Sequence, residues 1–272
     1  MTHGPSPKVL ISADIEGVCG VVDWDETTLH EGDHEYFRKM MAQEVNAAVE
    51  GALAAGAKDI IVRDAHGSAR NLLPDMVHPE AQLIRAWTRS PFSMMDGIDR
   101  GIDAVVFVGY HARAGTPHAT LKHTMNGKIY HLKVNGQPVA EAEWNALIAG
   151  YFGVPVVFIA GDKAVCDYAK ERFADIETVA VKEGLGKGVI GIHPSKAQAL
   201  IRAGVEKAIN RLGDFKPHIL TAPYFVEIEF RREEDAYAGQ WYPGAEVVNE
   251  TTIGFRNEDF YECLRFFYFT HD

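Results

Sequence analysis

Short runs rich in valine and isoleucine alternate with longer stretches of helical periodicity through residues 8–181, the rhythm of βα units around a largely parallel sheet. The spacing predicts strands over 8–14, 59–64, 82–87, 103–109, 155–160 and 177–181. Met40, Met41, Val45, Ala48, Val49 and Ala52 recur at three- and four-residue steps, so they predict a helix over 34–54 with one buried stripe. Between 124 and 138 the segments become short and alternating, punctuated by Asn126-Gly127 and Asn135-Gly136. Such dipeptides tolerate positive φ and favour hairpin turns, so an antiparallel excursion is expected there. A helix follows over 141–151, stopped near Gly153 and Pro155. Further on come a helix over 195–212, a strand with Val226, Ile228 and Phe230 inward and Glu227 and Glu229 outward, and a terminal helix over 257–269. The expected fold class is α/β: a largely parallel sheet flanked by helices with an antiparallel excursion, plus a smaller C-terminal α+β part. The change of pattern places a division between a larger α/β domain at 1–192 and a smaller α+β domain at 193–272.

Composition changes this picture only by exclusion. With 47% hydrophobic and 24% charged residues, the 272-residue chain has the make-up of a soluble protein with a sizeable core. Its 27 basic against 38 acidic residues give a net charge of −11, which argues against nucleic acid as a partner. No apolar run reaches the length of about 18 residues needed to span a membrane, and the amino terminus lacks a signal-peptide pattern. Cys19, Cys166 and Cys263 are odd in number and widely separated, so neither a disulfide framework nor a cysteine zinc site is expected. A reducing, cytoplasmic location follows as the expectation.

Two matches to known motifs fail on context. His30-Glu31-Gly32-Asp33-His34 has the letters of a zinc-protease helix, but Gly32 disfavours a helix there, and Asp33 suits the cap of the helix that starts next. Gly186-x-Gly188-x-x-Gly191 has the letters of a dinucleotide fingerprint, yet no helix opens directly after it, and a flexible loop is expected instead.

The chemistry gathers at strand ends. Asp14 and Glu16, at i and i+2 where the first strand finishes, project to one side. Two such anions repel unless a cation lies between them. The next strand runs into Asp64-Ala65-His66 and the strand at 103–109 into Tyr110-His111, so successive βα units deliver carboxylates and imidazoles to the crevice at the carboxyl ends. Glu141, opening a helix just after the antiparallel excursion, is a fifth candidate. Carboxylates and imidazoles without thiolates suit a divalent metal, zinc first, with manganese or cobalt as alternatives. Five ligands exceed the needs of one tetrahedral ion and would serve two ions about 3.5 to 4 Å apart.

These strings, Ser12-Ala13-Asp14-Ile15-Glu16-Gly17, Asp64-Ala65-His66, Gly109-Tyr110-His111-Ala112-Arg113, His123-Thr124-Met125 and Glu141 followed by Asn145, resemble the binuclear zinc D-aminopeptidases of the dipeptide-transport operon, the DppA-like family. The resemblance implies metal ligands at Asp14, Glu16, His66, His111 and Glu141, with Asp14 bridging two zinc ions, and a catalytic histidine at His123. His118 is a rival to His123, because the 111–123 segment is one residue longer than the family pattern. The resemblance also implies short peptide substrates with N-terminal D-residues and a homo-oligomer, a decameric ring. The expected function is hydrolysis of the N-terminal peptide bond by a metal-bridging hydroxide, with His123 stabilising the oxyanion or passing a proton to the leaving amine. From proximity in sequence, Asp64 is expected to orient His66 or another ligand, and Arg113 to bind a substrate carboxylate; Asn145 is placed with them as a substrate-binding or supporting residue. Cys19 is expected to pack and not to act as a nucleophile. The alternatives are another binuclear metal hydrolase, an amidase or phosphoesterase, and a non-catalytic peptide-binding protein.

Overall fold

The computed structural model describes residues 6–173 and 175–271. Its first layer is a seven-stranded sheet built from β1 (Lys8–Ala13), β2 (Asp59–Asp64), β3 (Ala81–Ile84), β4 (Ala104–Tyr110), β7 (Val156–Asp162), β8 (Glu177–Leu185) and β9 (Gly188–Gly191). The order is β3-β2-β1-β4-β7-β8-β9, parallel except for the β8–β9 pair. Period-two alternation sorts the side chains to two faces. Val9, Ile11, Val62 and Val106 meet Met41 and Val45 of helix α1 (His34–Ala54) and Ile201 and Val205 of helix α4 (Pro194–Asn210). Leu10, Ile61, Val105 and Phe107 face the opposite way, into a second core with Trp144 and Ile148 of helix α2 (Glu141–Tyr151).

That second core is closed by a five-stranded antiparallel sheet. It is made from β5 (Ile129–Val134), β6 (Gln137–Pro138), β10 (Tyr224–Phe230), β11 (Glu246–Asn249) and β12 (Thr252–Asn257), in the order β11-β12-β10-β5-β6. Helix α6 (Phe260–Thr270) packs on it through Leu264, Phe266 and Phe267, while α3 (Lys163–Arg172) and α5 (Glu233–Gly239) fill the flanks. The excursion after residue 124 thus pairs with strands from the far end of the chain, Leu132 lying opposite Ile228 and Val134 opposite Val226. The position 192/193 falls between β9 and α4, and α4 lies against α1.

Two local expectations are corrected. The 184–191 segment is not a flexible loop but the β8–β9 hairpin, which turns at Gly186 with φ +62° and antiparallel pairing from Lys182 to Gly191. Of the two Asn-Gly dipeptides only Asn135-Gly136 turns a hairpin, between β5 and β6. Asn126 instead accepts the Lys128 and Ile129 amides on its own side chain, an Asx arrangement that needs no strand before it. His30 lies outside the helix at φ +73° while His34 opens α1, so these two histidines do not share a helix face. Among the described residues no helix is long and apolar enough to cross a membrane.

Candidate metal centre and active-site cleft

Neighbouring strands β2, β1 and β4 end side by side, and the chain leaves each of them carrying one candidate group. Asp14 follows β1 directly, His111 follows β4 directly, and His66 lies two residues beyond β2. The exit turns interlock through backbone. Asp14 N–H donates to the Val108 carbonyl at 2.8 Å, Gly17 N–H to Gly109 at 2.7 Å, and Ala65 N–H to Ala13 at 2.8 Å. A Cβ on Gly17 would stand 1.8 Å from the Tyr110 carbonyl oxygen, and one on Gly109, where φ is +72°, 2.1 Å from that of Asp14. Glycine at both positions is what allows the two turns to touch.

The five expected ligands converge with His123. His66 Nδ1 lies 3.2 Å from Asp14 Oδ1 and 3.0 Å from Glu16 Oε2. His111 Nε2 lies 3.6 Å from Asp14 Oδ2 and 3.3 Å from Glu141 Oε1. His123 Nε2 stands 3.7 Å from Glu16 and 3.5 Å from Glu141. Each imidazole is turned by a main-chain carbonyl at its far nitrogen: His66 Nε2 by Thr27 at 2.9 Å, His111 Nδ1 by Ala112 at 3.0 Å, His123 Nδ1 by Leu121 at 2.8 Å. With one N–H spent on a carbonyl, the other nitrogen faces the cluster, where it offers a lone pair once deprotonated. His123 also stacks on His111, ring centroids 4.2 Å apart, and meets the edge of Trp24 at 5.1 Å.

Asp14, Glu16 and Glu141 are all buried. Burial, then the neighbouring Glu16, pushes the Asp14 carboxyl up to about 8. Burial acts on Glu16 in the same sense, but His66, His123 and His111 outweigh it and hold Glu16 well below the usual carboxylate range. The carboxylates in turn lift His66 and His111 well above an ordinary histidine, against the effect of burial. His123 is lowered, by burial and then by His111. Even so, among the described residues Glu16 Oε2 and His111 Nε2 are buried without a well-aligned hydrogen bond, although His66 Nδ1 lies 3.0 Å from the first and Glu141 Oε1 3.3 Å from the second. Among the described residues the possible ligand atoms fall into overlapping groups, Asp14/Glu16/His66, Asp14/His111/Glu141 and Glu16/His111/His123.

The other expected residues take different places. Asp64 does not touch the His66 ring; it accepts from Asn71 Nδ2 at 2.9 Å and Leu72 N–H at 2.7 Å, and Asn71 Nδ2 also donates to the His66 carbonyl at 2.7 Å. Its effect on His66 therefore runs through the 66–72 loop. Arg113 donates to the Ala114 carbonyl and lines a separate small pocket of about 120 Å³. Asn145 lies beneath the cluster, donating to the Tyr110 hydroxyl at 2.9 Å, which also bonds Ser12 Oγ at 2.8 Å. Since Ser12 Oγ donates to the Met94 carbonyl, the Tyr110 hydroxyl donates to Ser12 and accepts from Asn145. This buried chain joins the three elements that carry Asp14, His111 and Glu141. Cys19 packs as expected, its thiol donating to the Ile192 carbonyl and pushed up to about 11 by burial. His118 is exposed on the 111–123 segment, outside the cluster.

The cluster forms the floor of a cleft of about 830 Å³. Sequence reasoning missed several parts of it. Lys182, from β8, donates to the Glu16 and Val21 carbonyls and holds the turn between them. Trp24, Arg70, Trp87 and Arg89 line the walls, and Tyr268 and His271 arrive from the far end of the chain. None of these belongs to a local motif, so no signal along the sequence marks them.

A model of the peptidase M55 D-aminopeptidase family matches residues 8–269. The chain is 33% identical over 262 residues to a D-aminopeptidase of Bacillus subtilis strain 168, covering 95% of this chain and 94% of that one. Its fold superposes with a TM-score of 0.92, at 31% identity and covering 97% and 96% of the two chains, on a solved structure described as the Zn-dependent D-aminopeptidase DppA from Bacillus subtilis, a self-compartmentalizing protease. A cleft floored by clustered imidazoles and carboxylates, on a scaffold shared along nearly its whole length with these enzymes, places this chain in the peptidase M55 family of D-aminopeptidases.

Proposed function

We propose that the protein is a zinc aminopeptidase that removes the N-terminal residue, of D configuration, from short peptides at a centre of two ions. One observation carries the two-ion reading: Asp14 belongs to two three-residue ligand groups, with Glu16 and His66 on one side and His111 and Glu141 on the other. The residues fit such a group. Three buried carboxylates, one of them with an oxygen that makes no well-aligned hydrogen bond among the described residues, need positive charge, and the oriented imidazoles aim their other nitrogens toward the same point. Oxygen and nitrogen donors without thiolate suit zinc, and manganese or cobalt after it. The zinc dependence and D-specificity named for the Bacillus subtilis relative support the assignment.

Two zinc ions held there would supply Lewis acidity toward the scissile carbonyl and lower the pKa of an attacking water toward neutrality. The chain's own groups do the rest. Asp14, Glu16, His66, His111 and Glu141 hold the centre. His123, with Nδ1–H fixed on Leu121, keeps Nε2 over the cluster; its lowered pKa keeps it neutral near pH 7, ready to take and return a proton at that nitrogen. Trp24, edge-on to His123, limits its rotation and shields it from water. The self-compartmentalizing assembly described for the relative supports a homo-oligomer here, with a decameric ring as the specific form. The buried, unpaired cysteines suit the cytoplasm.

The test is cleavage of D-Ala and L-Ala dipeptides and tripeptides by zinc-loaded protein, alongside metal analysis and a phosphodiester control. About two zinc ions per chain and release of D-alanine are expected. Phosphodiester turnover without peptide cleavage would overturn the peptidase reading, L-selective cleavage the stereochemical one, and a single ion at full activity the two-ion one.

A further inference from the structure

The cleft carries a cationic wall that the metal-centred chemistry does not use. Arg70 and Arg89 line it, both exposed, and neither guanidinium has a hydrogen bond or ion pair with a described residue. Apart from the three carboxylates of the metal centre, the only acid in the lining is Asp96, and it is already engaged by Thr88 Oγ1 at 2.7 Å, Ser90 Oγ and Arg63. Two more arginines support the same wall from behind. Arg38 donates to the Arg70 and Asn71 carbonyls, and Arg85 to the Arg70 and Leu72 carbonyls. In a chain of net charge −11, this is a local concentration of positive charge facing the substrate cleft.

The wall is also built to hold its shape. Arg89 sits at φ +71° between Ala86 at +66° and Ser93 at +52°, a left-handed conformation that non-glycine residues rarely adopt. It is held there by the buried Arg63, which donates to the Ala86 carbonyl at 2.7 Å and the Ser93 carbonyl at 3.2 Å, packs over Trp87 and pairs with Asp96. Asp96 in turn receives the Thr88 and Ser90 hydroxyls. Backbone held in a sparsely populated conformation beside a cleft points to a ligand clamp, and a guanidinium free of acidic neighbours is a fork suited to a carboxylate.

We propose that Arg70 and Arg89 form a subsite for the C-terminal carboxylate of the peptide, making this enzyme selective for short peptides with a free acid terminus. The inference rests on the peptidase reading above and adds to it which end of the substrate is recognised and by what. A cleft of about 830 Å³ floored by the reactive centre and walled by arginines on a braced backbone measures peptide length, because a longer chain cannot place its terminus on the wall while its N-terminal bond lies on the floor.

The experiment compares a D-alanyl tripeptide with the same tripeptide amidated at its C-terminus, on zinc-loaded protein. Wild-type enzyme is expected to show a KM at least about tenfold lower for the acid with similar kcat, as befits a charge-assisted contact distant from the reacting bond. Arg89→Ala and Arg70→Ala should each raise KM for the acid and leave the amide unchanged; the double variant should remove the discrimination. Equal KM for acid and amide on the wild type would overturn the proposal while leaving the peptidase reading intact. Equal losses on both substrates in the variants would also overturn it, whereas no cleavage of either peptide would instead count against the peptidase reading. Both side chains are exposed, so these variants should fold, and the wild-type comparison needs no variant.

Discussion

Glu141 and Glu143 lie two residues apart at the start of one helix, both are buried carboxylates, and they behave in opposite ways. Two positions turn an α-helix by about 200°, so they face opposite sides. Glu143 is satisfied within the chain: Arg172 donates at 2.6 Å and 3.2 Å, His218 at 3.2 Å, and the Tyr168 hydroxyl closes the set. Glu141 receives one amide, from Met125 at 2.6 Å, and otherwise meets His111 and His123 in a cluster that also contains Asp14 and Glu16. There, among the described residues, Glu16 Oε2 remains without a well-aligned donor. A buried acid surrounded by fixed cations is architecture; one surrounded by other acids and outward-aimed lone pairs is a receptor for positive charge.

The sharpest way to break that contrast is to remove the carboxylate shared by both ligand groups. Asp14→Ala should lower turnover of D-alanyl peptides by a thousandfold or more, on the order expected for loss of metal catalysis. Its zinc content should fall, while the metal-free melting temperature holds or rises because a buried carboxyl crowded by Glu16 and Glu141 is gone. Normal turnover with normal zinc content would refute the role given to Asp14. On the architectural side, Glu143→Ala should cost about 2–3 kcal/mol by urea denaturation, the lower part of the range because the Arg172 side chain is 30% exposed. Activity per folded molecule should stay close to wild type, and a large loss there would erase the distinction between the two glutamates.

Between these extremes lies Tyr110→Phe, which cuts the Ser12–Tyr110–Asn145 chain. A loss of about 1–2 kcal/mol is expected, with zinc affinity reduced roughly tenfold; unchanged affinity would mean that the chain supports the fold alone. The smallest effects are protonic. Glu143 is held below its ordinary value of 4.5 in the folded protein, so its stabilisation is complete above that pH and is lost as the pH falls through the lower folded value. The stability gap between wild type and Glu143→Gln should therefore shrink only on acidification below about 4.5. Asp14 shifts the other way, up to about 8, and His66 and His111 are raised as well; all three must deprotonate to ligate, so zinc binding near pH 7 should release more than one proton. Calorimetry in buffers of different ionisation enthalpy measures that release, and buffer-independent heats would contradict it.

Much of the centre was legible along the chain because strand ends are visible in period-two hydrophobic runs. The strand at 59–64 and the helix at 34–54 match their expected limits, and the residues leaving β1, β2 and β4 assemble as expected. Arg113, Asp64 and Asn145 show the limit of proximity. Neighbours in sequence leave a strand end on different sides, so Arg113 lines another pocket and Asp64 braces a loop, while Asn145, one helical turn after Glu141, lies under the floor. The Gly186–Gly191 stretch became strand because β8 extended to Leu185 and offered it an edge, a partner that local composition does not reveal.

By itself, then, the sequence determined the βα rhythm and the groups delivered to the crevice, since each follows from local periodicity and from which residues leave the strand ends. Only the tertiary structure decided that the 129–138 strands pair with β10 from the far end of the chain. The same holds for Lys182 pinning the Glu16 turn, for Tyr268 and His271 closing the cleft, and for two arginines facing it without a side-chain partner among the described residues. Those outcomes depend on contacts between residues far apart in the chain. They are set by which buried polar groups find partners once the layers close, a balance that no single segment carries.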